Sequence, residues 1–540
     1  MKYLYLSIWA ILFLGVNLGY SQSKKTNSSK DLELIWGENF RIPKKHFQLD
    51  FTGNPADGYV NICWRNKKSI ALQHFDKNLK FKKEEIISIK EKKGSIFEGT
   101  VKLNGRFFIR LVRRDKKANK SYCIVQEVDI KSGKLLAEKV LCEGEYRSSN
   151  FYYKSSKDKD YFMVYFTKPK ESRRDSKNFE TYCFRVFDMN LNKKWGKDVR
   201  LPYPESEIRA QEFTLTSKGE VYMLMKKHQD NGGKKLKGSK DTDLDGKASS
   251  NFGLELYKVD PNDFEMDKIK VKFNPKYYYS TVEFFETDVN QLLLISLYSS
   301  AKNDSYDGLS LMTFNPEAGE FEESQLYEIP TELIKEFESA KENRKRDKKA
   351  KKKGDNDEEA ASLELRSAIL DKDGNLYITA EQYYLVITSH THTDGKGGSY
   401  TTYTYHHYFQ DVYVFKINKE KSLEWVKKIP KNQASVNTTR TMGIHSMVYN
   451  GDYYLVYFDN MDNLKLSGSK NPSVYGPGKG ILCYTKINSE GKVSKEKLFD
   501  IKEEEKYLEV TDFERVAEGT YLTTAYFKKD KNPVILRVKD

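Results

Sequence analysis

Asp241, Asp243 and Asp245, followed by Gly246, stand at the D-x-D-x-D-G spacing that folds three carboxylates around a hard cation, and calcium is the ion such ligands select. The same loop has Phe252 at its twelfth position, where a helix-loop-helix calcium site needs a bidentate Glu, and Ser249 at its ninth. Lys234, Lys235, Lys237 and Lys240 dilute its negative field. The expectation is a polar surface loop over 228–252 and no cofactor, with calcium at the three aspartates as the alternative. His390 and His392 share a strand face at two-residue spacing, which suits a metal. Folding their segment about a turn at Asp394 to Gly398 puts His390 opposite roughly residue 400, which leaves His406 and His407 too far along the hairpin to join a common site. His390 and His392 therefore belong with Tyr400, Tyr403 and Tyr405 to a ribbon expected to act as a binding surface, because tyrosine is enriched where proteins meet partners or sugars. The five cysteines, an odd number, exclude a complete disulfide framework. Folding about the turn after Asp129 sets Cys123 against Cys142, a pair for a cross-strand disulfide in an oxidising compartment.

Linear catalytic motifs are absent: there is no G-x-S-x-G, no H-E-x-x-H and no G-x-x-x-x-G-K-S/T. No catalytic residue can be named from the chain alone. The formal charge of +14 invites a polyanionic partner, but lysine is spread over almost every turn and strand edge, where it also blocks edge-to-edge aggregation. Nucleic acid is not expected as a partner of an exported protein.

The elements that must position these residues are strands. Tyr 37 and Phe 30 against Pro 13, with β-branched residues in short alternating runs, describe an all-β chain. One type of hairpin recurs in "YCIVQEVDIKSGKLLAEKVL", "YCFRVFDMNLNKKWGKDVRL", "DVYVFKINKEKSLEWVKKIP" and "ILCYTKINSEGKVSKEKLFD", each with Asp or Asn opening a short polar turn. The anchors are Asp76, Asp129, Asp188, Asp260, Asn315, Asn418 and Asn488. A second type, including "GTVKLNGRFFIRLV", "RSAILDKDGNLYITA" and "HSMVYNGDYYLVYF", turns on Asn-Gly or Asp-Gly. Two hairpins per period make a four-stranded antiparallel unit, repeated without helical periodicity between units, which is the pattern of a β-propeller.

Seven units start near Phe47, Gly99, Phe151, Glu212, Val282, Leu365 and His445, and an eighth begins at Asp512 and ends one strand short. "WGENFRIP" at Trp36 to Pro43 repeats "WGKDVRLP" at Trp195 to Pro202, the fourth strand of its unit. Residues 31–43 are therefore expected to complete the eighth blade as a closing strand, giving one eight-bladed propeller over 31–540; seven blades is the alternative. Residues 1–21 read as a cleaved secretory signal and 22–30 as a flexible linker. The first Cys is Cys63, so no lipid anchor is expected, and no later stretch is apolar enough to span a bilayer. Residues 331–361 read as a charged insertion that starts as a helix with Leu333, Ile334 and Phe337 on one face.

Beyond the fold, "EQYY", "YHHYFQDVYVFKIN" and "EWVKKIPKNQ" resemble uncharacterised exported bacterial propeller proteins, a resemblance that carries no activity with it. "VDIKSGKLLA" matches the quinoprotein dehydrogenase turn only in part, with Ala137 where Trp would stand. The function expected is a non-catalytic, monomeric, periplasmic or extracellular scaffold that binds an envelope protein or polymer. The alternative is a glycan-binding or glycan-processing protein with a site in the central channel, and acids from several blades converging at one mouth would favour it.

Overall fold

The computed structural model describes residues 26–539 except 44, 90–94, 104, 149, 229–251, 260–265, 272, 275, 288–290, 301–304, 316–317, 339–359, 394–397, 467, 469, 478–479 and 528–529. The strands gather into successive antiparallel blades. Blade 1 is Phe47–Asn54, Gly58–Asn66, Ser69–Phe75 and Phe81–Ser88, and blade 2 is Ser95–Leu103, Arg106–Asp115, Lys120–Asp129 and Lys134–Glu145. Blade 3 is Tyr152–Ser155, Tyr161–Thr167, Thr181–Asp188 and Lys193–Arg200, and blade 4 is Ile208–Leu215, Val221–His228, Phe252–Val259 and Asp267–Lys270. Blade 5 is Tyr278–Glu286, Leu292–Ser299 and Gly308–Asn315, with Glu320–Phe321 and Gln325–Glu328 sharing the fourth place. Blade 6 is Leu363–Leu370, Leu376–Thr393, Ser399–Ile417 and Leu423–Ile429, and blade 7 is His445–Tyr449, Asp452–Asp459, Ile481–Ile487 and Val493–Asp500. Blade 8 takes Glu514–Ala517, Thr520–Phe527 and Asp530–Val538 from the C-terminal end of the chain. Its fourth strand is Leu32–Trp36, paired antiparallel from Leu32 opposite Val538 to Trp36 opposite Val534.

A strand covered on both faces needs apolar residues at every position, whereas one at the rim alternates or turns polar. Leu292–Ser299, "LLLISLYS", is buried throughout, while Phe81–Ser88, "FKKEEIIS", is largely exposed. The buried faces form eight apolar cores among the described residues, one in each seam between neighbouring blades. The eighth seam decides closure: Ile35, Leu522 and Ile535 of blade 8 pack with Phe51, Tyr59 and Phe75 of blade 1. The other face of the closing strand, Leu32, Leu34 and Trp36, packs with Tyr454, Tyr484 and Phe499 of blade 7. Eight seams for eight blades make a ring, and the first strands of neighbouring blades touch around its inside, including Glu514–Ala517 against Phe47–Asn54.

The turn anchors do the local work expected of them. Asp76, Asp129 and Asp188 each accept from the backbone N–H two residues on, at 2.8, 2.9 and 2.9 Å, and Asn418 and Asn488 accept from the N–H four residues on. Asp260 lies outside the described residues. At the other hairpin type, Asn450 and Gly451 have φ of 49° and 78°, the doubly left-handed backbone that makes Asn-Gly the preferred two-residue hairpin turn. Thr26–Ser28, in the segment expected as a linker, forms a short strand on Leu32–Trp36. The charged insertion opens with a helix at Thr331–Lys335 whose Ile334 is buried, and 339–359 lie outside the described residues.

Candidate functional site

In a four-stranded antiparallel blade the first-to-second and third-to-fourth turns lie at one end, and the second-to-third connection and the links to neighbouring blades at the other. The recurrent tight turns therefore share one face of the ring, and the strand ends that flank the second-to-third connections and the inter-blade links share the opposite face. On that loop face the second and third strands of blades 3 to 7 are joined by 168–180, 229–251, 300–307, the ribbon tip and 460–480. The same joints in blades 1, 2 and 8 are short, from Asn66 to Ser69, Asp115 to Lys120 and Phe527 to Asp530. Connections thus lengthen around blades 3 to 7 and stay short over blades 8, 1 and 2.

A cavity of about 450 Å³ opens in the seam between blades 8 and 1, lined by the start of the first strand of blade 1, Arg440 from the link into blade 7, the link into blade 8 and the first three strands of blade 8. Four of its lining residues are acids: Asp50, Glu509, Asp512 and Glu514. Lys102 of blade 2 reaches into the group, its Nζ 3.3 Å from Asp50 Oδ2 and 2.5 Å from Glu514 Oε1. One ammonium thus joins carboxylates from opposite sides of the seam. Arg440 Nε lies 3.4 Å from Glu509 Oε1. Burial, opposed by Lys102 and reinforced by Asp50, raises the pKa of Glu514, and burial with the neighbouring Glu509 and Asp50 charges raises that of Asp512. Burial likewise lowers the pKa of Lys531 on the cavity wall.

Uncharged groups complete the lining. Gln48 Nε2 donates to Thr524 Oγ1 at 3.1 Å, while the Thr523 hydroxyl, 2% exposed, has no hydrogen-bond partner among the described residues. A buried hydroxyl in that state costs free energy until something bonds it. Phe47 at the rim stacks on Trp64 at 4.9 Å and 17° and remains 52% exposed, so the outer face of the ring is open.

The folded state holds the Glu514 proton to higher pH than the unfolded chain, whose reference value is 4.5. The native protein therefore binds more protons above that pH, and this part of the stability falls as pH rises through the raised pKa. Glu514→Gln is expected to flatten the decline in denaturation free energy as pH rises above 4.5, and parallel profiles for the two proteins would refute the assignment.

A second charged group sits on the inner strands of blades 3 to 5. Lys154 Nζ lies 2.9 Å from Glu212 Oε1, and the Phe284 N–H donates to Glu212 Oε2 at 3.0 Å. Burial, and then Glu212, raises the pKa of Glu283 beside it. Inner strands carry bulges at Leu49, Glu98, Gln211, Arg366 and Val516, each interrupting the pairing with the second strand.

Of the residues singled out in the sequence, Asp241, Asp243 and Asp245 lie outside the described residues. Among the described residues no group of three or more His, Cys, Asp or Glu side chains is arranged to hold a metal ion. The ribbon is the extension of Leu376–Thr393 and Ser399–Ile417 beyond blade 6, with His390 opposite Thr402 and His392 opposite Tyr400. Tyr400, Tyr403 and Tyr405 are exposed, and the His392 ring stacks on Tyr400 at 5.0 Å. His406 pairs with Val386, well down the ribbon from His390. Cys123 is directly opposite Cys142 in blade 2, both as thiols, and the hydrogen bond with Cys123 together with burial pushes the Cys142 thiol up.

No family model matches the chain, and no curated protein matches it. It is similar to the structure of an oligogalacturonate lyase in complex with manganese, at 9% identity and TM-score 0.36, covering 96% of each chain. The β-propeller domain of the Trilobed protease from Pyrococcus furiosus is similar at 12% identity and TM-score 0.32, over 85% of this chain and 97% of that one. A prolyl endopeptidase is similar at 10% identity and TM-score 0.31, over 76% of this chain and 54% of that one, so the chain spans about half the length of that protein. These likenesses concern the fold alone.

Proposed function

We propose that this propeller is an exported glycan-binding protein of the cell envelope, with its ligand seated in the cavity between blades 8 and 1. The observation that carries the reading is the convergence of Asp50, Asp512 and Glu514 on one cavity with the half-exposed Phe47 at its rim. Carboxylates suit the hydroxyls of a sugar, and the free face of Phe47 suits the apolar face of a pyranose. A scaffold that presents only a Tyr- and Lys-rich surface would have no need of this cluster.

A glycan microarray is expected to show binding that Phe47→Ala weakens by about tenfold or more, with the melting midpoint unchanged because the ring is half exposed. Absence of binding to any glycan, or full binding by the variant, would overturn the reading. Hydrolysis is a second reading, favoured by the pairing of Glu514, protonated to higher pH, with Asp50 across Lys102. Release of reducing ends from a bound oligosaccharide, lost in Glu514→Gln, would support it; its absence with binding intact would leave a binding protein.

A further inference from the structure

We propose that the cavity between blades 8 and 1 is one end of an extended track across blades 1 to 3, so that the protein selects oligosaccharides over single sugars. This rests on the glycan reading of the cavity and adds the size and shape of the ligand. The first strand of each blade begins on the loop face, and three consecutive blades start with an exposed apolar side chain. Phe47 opens blade 1, Ile96 is the second strand residue of blade 2 and Tyr152 opens blade 3, at 52%, 58% and 50% exposure. Phe47 and Tyr152 occupy the same place in their blades, and each stacks on the residue directly opposite in the second strand. Phe47 lies on Trp64 at 4.9 Å and 17°, and Tyr152 lies on Tyr165 at 5.4 Å and 24°.

A stacked partner holds each ring in one orientation, so little side-chain entropy remains to be lost when its outer face is covered. Each platform has a lysine paired with a carboxylate nearby. Asp50, Lys102 and Glu514 are at the first, while Tyr165 leads to Glu212 and its partner Lys154 at the second. Between them Arg114 Nη2 donates to Asn150 Oδ1 at 3.2 Å, an exposed polar pair. Flat apolar rings alternating with polar groups along a line match a chain of β-1,4-linked pyranoses, whose equatorial hydroxyls lie at the edge of flat apolar faces. Facing sheets pack roughly 10 Å apart, so two blade steps cover about 20 Å, the span of several sugars. The second-to-third connections of blades 1 and 2 are short, whereas those of blades 3 to 7 are longer.

The test measures calorimetric affinity for cello-oligosaccharides and chito-oligosaccharides of two to six units. In one of the two series, affinity is expected to rise by about tenfold or more from the disaccharide to the hexasaccharide. Tyr152→Ala should remove that gain, and Leu136→Ala, on the outer strand of blade 2 and 59% exposed, should keep it. Equal affinity at every length, or a gain that survives Tyr152→Ala, overturns the track while leaving the cavity reading in place, provided that Phe47→Ala still weakens disaccharide binding. No binding in either series overturns the track, and the microarray then decides separately whether the cavity binds a glycan at all.

Discussion

A chain lacking residues 31–43 is expected to show no cooperative unfolding transition under conditions where the full protein melts as one unit. The segment contributes Leu32, Leu34, Ile35, Trp36 and Phe40, all buried, to the cores on both sides of blade 8. At about 1.5–3 kcal/mol for each large apolar side chain, these five supply on the order of 10 kcal/mol. That is comparable with the ~5–15 kcal/mol net stability of a whole domain. The deletion also strips the ladder partners from Asp530–Val538 and removes Asp31, which accepts from Tyr484 at 3.0 Å and pairs with Lys486 at 2.9 Å in blade 7. Trp36→Ala alone should cost about 3–5 kcal/mol, because the indole packs edge-on to Phe499 at 5.5 Å in a filled core. Circular dichroism on heating and in denaturant reads both variants. A truncated chain with an unchanged midpoint would show that the ring does not depend on its closing strand.

This closing strand was legible because it obeys a repeat: "WGENFRIP" and "WGKDVRLP" occupy equivalent fourth strands, and a three-stranded unit at the other end of the chain lacked one. Blade starts were also legible, since Asp-anchored and Asn-Gly turns fix register locally. The ribbon shows the limit of that reasoning. A turn over Asp394 to Gly398 centres on residue 396, as the pairing of Thr393 with Ser399 does, yet the partner of His390 was set near residue 400 where Thr402 stands; a two-residue change of partner leaves each side chain on the same face.

The cavity was not legible, because its acids come from the two ends of the chain and meet only when blade 8 closes on blade 1. Glu514 in "DFERVAEG" reads as an ordinary strand residue until Lys102 and Asp50 are brought beside it. Inner-strand bulges hid the rest, since Glu98 and Arg366 break the alternation by which a strand's two faces are read. The signal that could have found the site is an acid within several first strands, Asp50, Glu98, Glu212, Glu283 and Glu514.

Lys431→Met is expected to destabilise the protein by about 3–5 kcal/mol, and much of that loss should disappear when Glu381→Gln is added. Both side chains are buried, at 0% and 1% exposure, with Lys431 Nζ 2.7 Å from Glu381 Oε1 at the root of the ribbon. Lys431 also donates to Gln433 Oε1 at 3.0 Å, and Gln433 donates to the Phe458 carbonyl at 2.7 Å, tying blade 6 to blade 7. Removing the ammonium alone leaves a buried carboxylate with Arg366 as its remaining cation, Nε at 2.7 Å, and Arg366 is already shared with Glu364 at 2.9 Å. Neutralising both partners removes the uncompensated charge, so a double-mutant cycle should return a coupling of about 2 kcal/mol or more. Burial lowers the pKa of Lys431, with Glu381 opposing it. Between that lowered pKa and the unfolded value of 10.5, the unfolded chain binds the extra proton, so wild-type stability gains a component that rises with pH. The component should be missing from Lys431→Met. Additive single effects, with the same alkaline slope in wild type and variant, would mean that the two buried charges are not coupled.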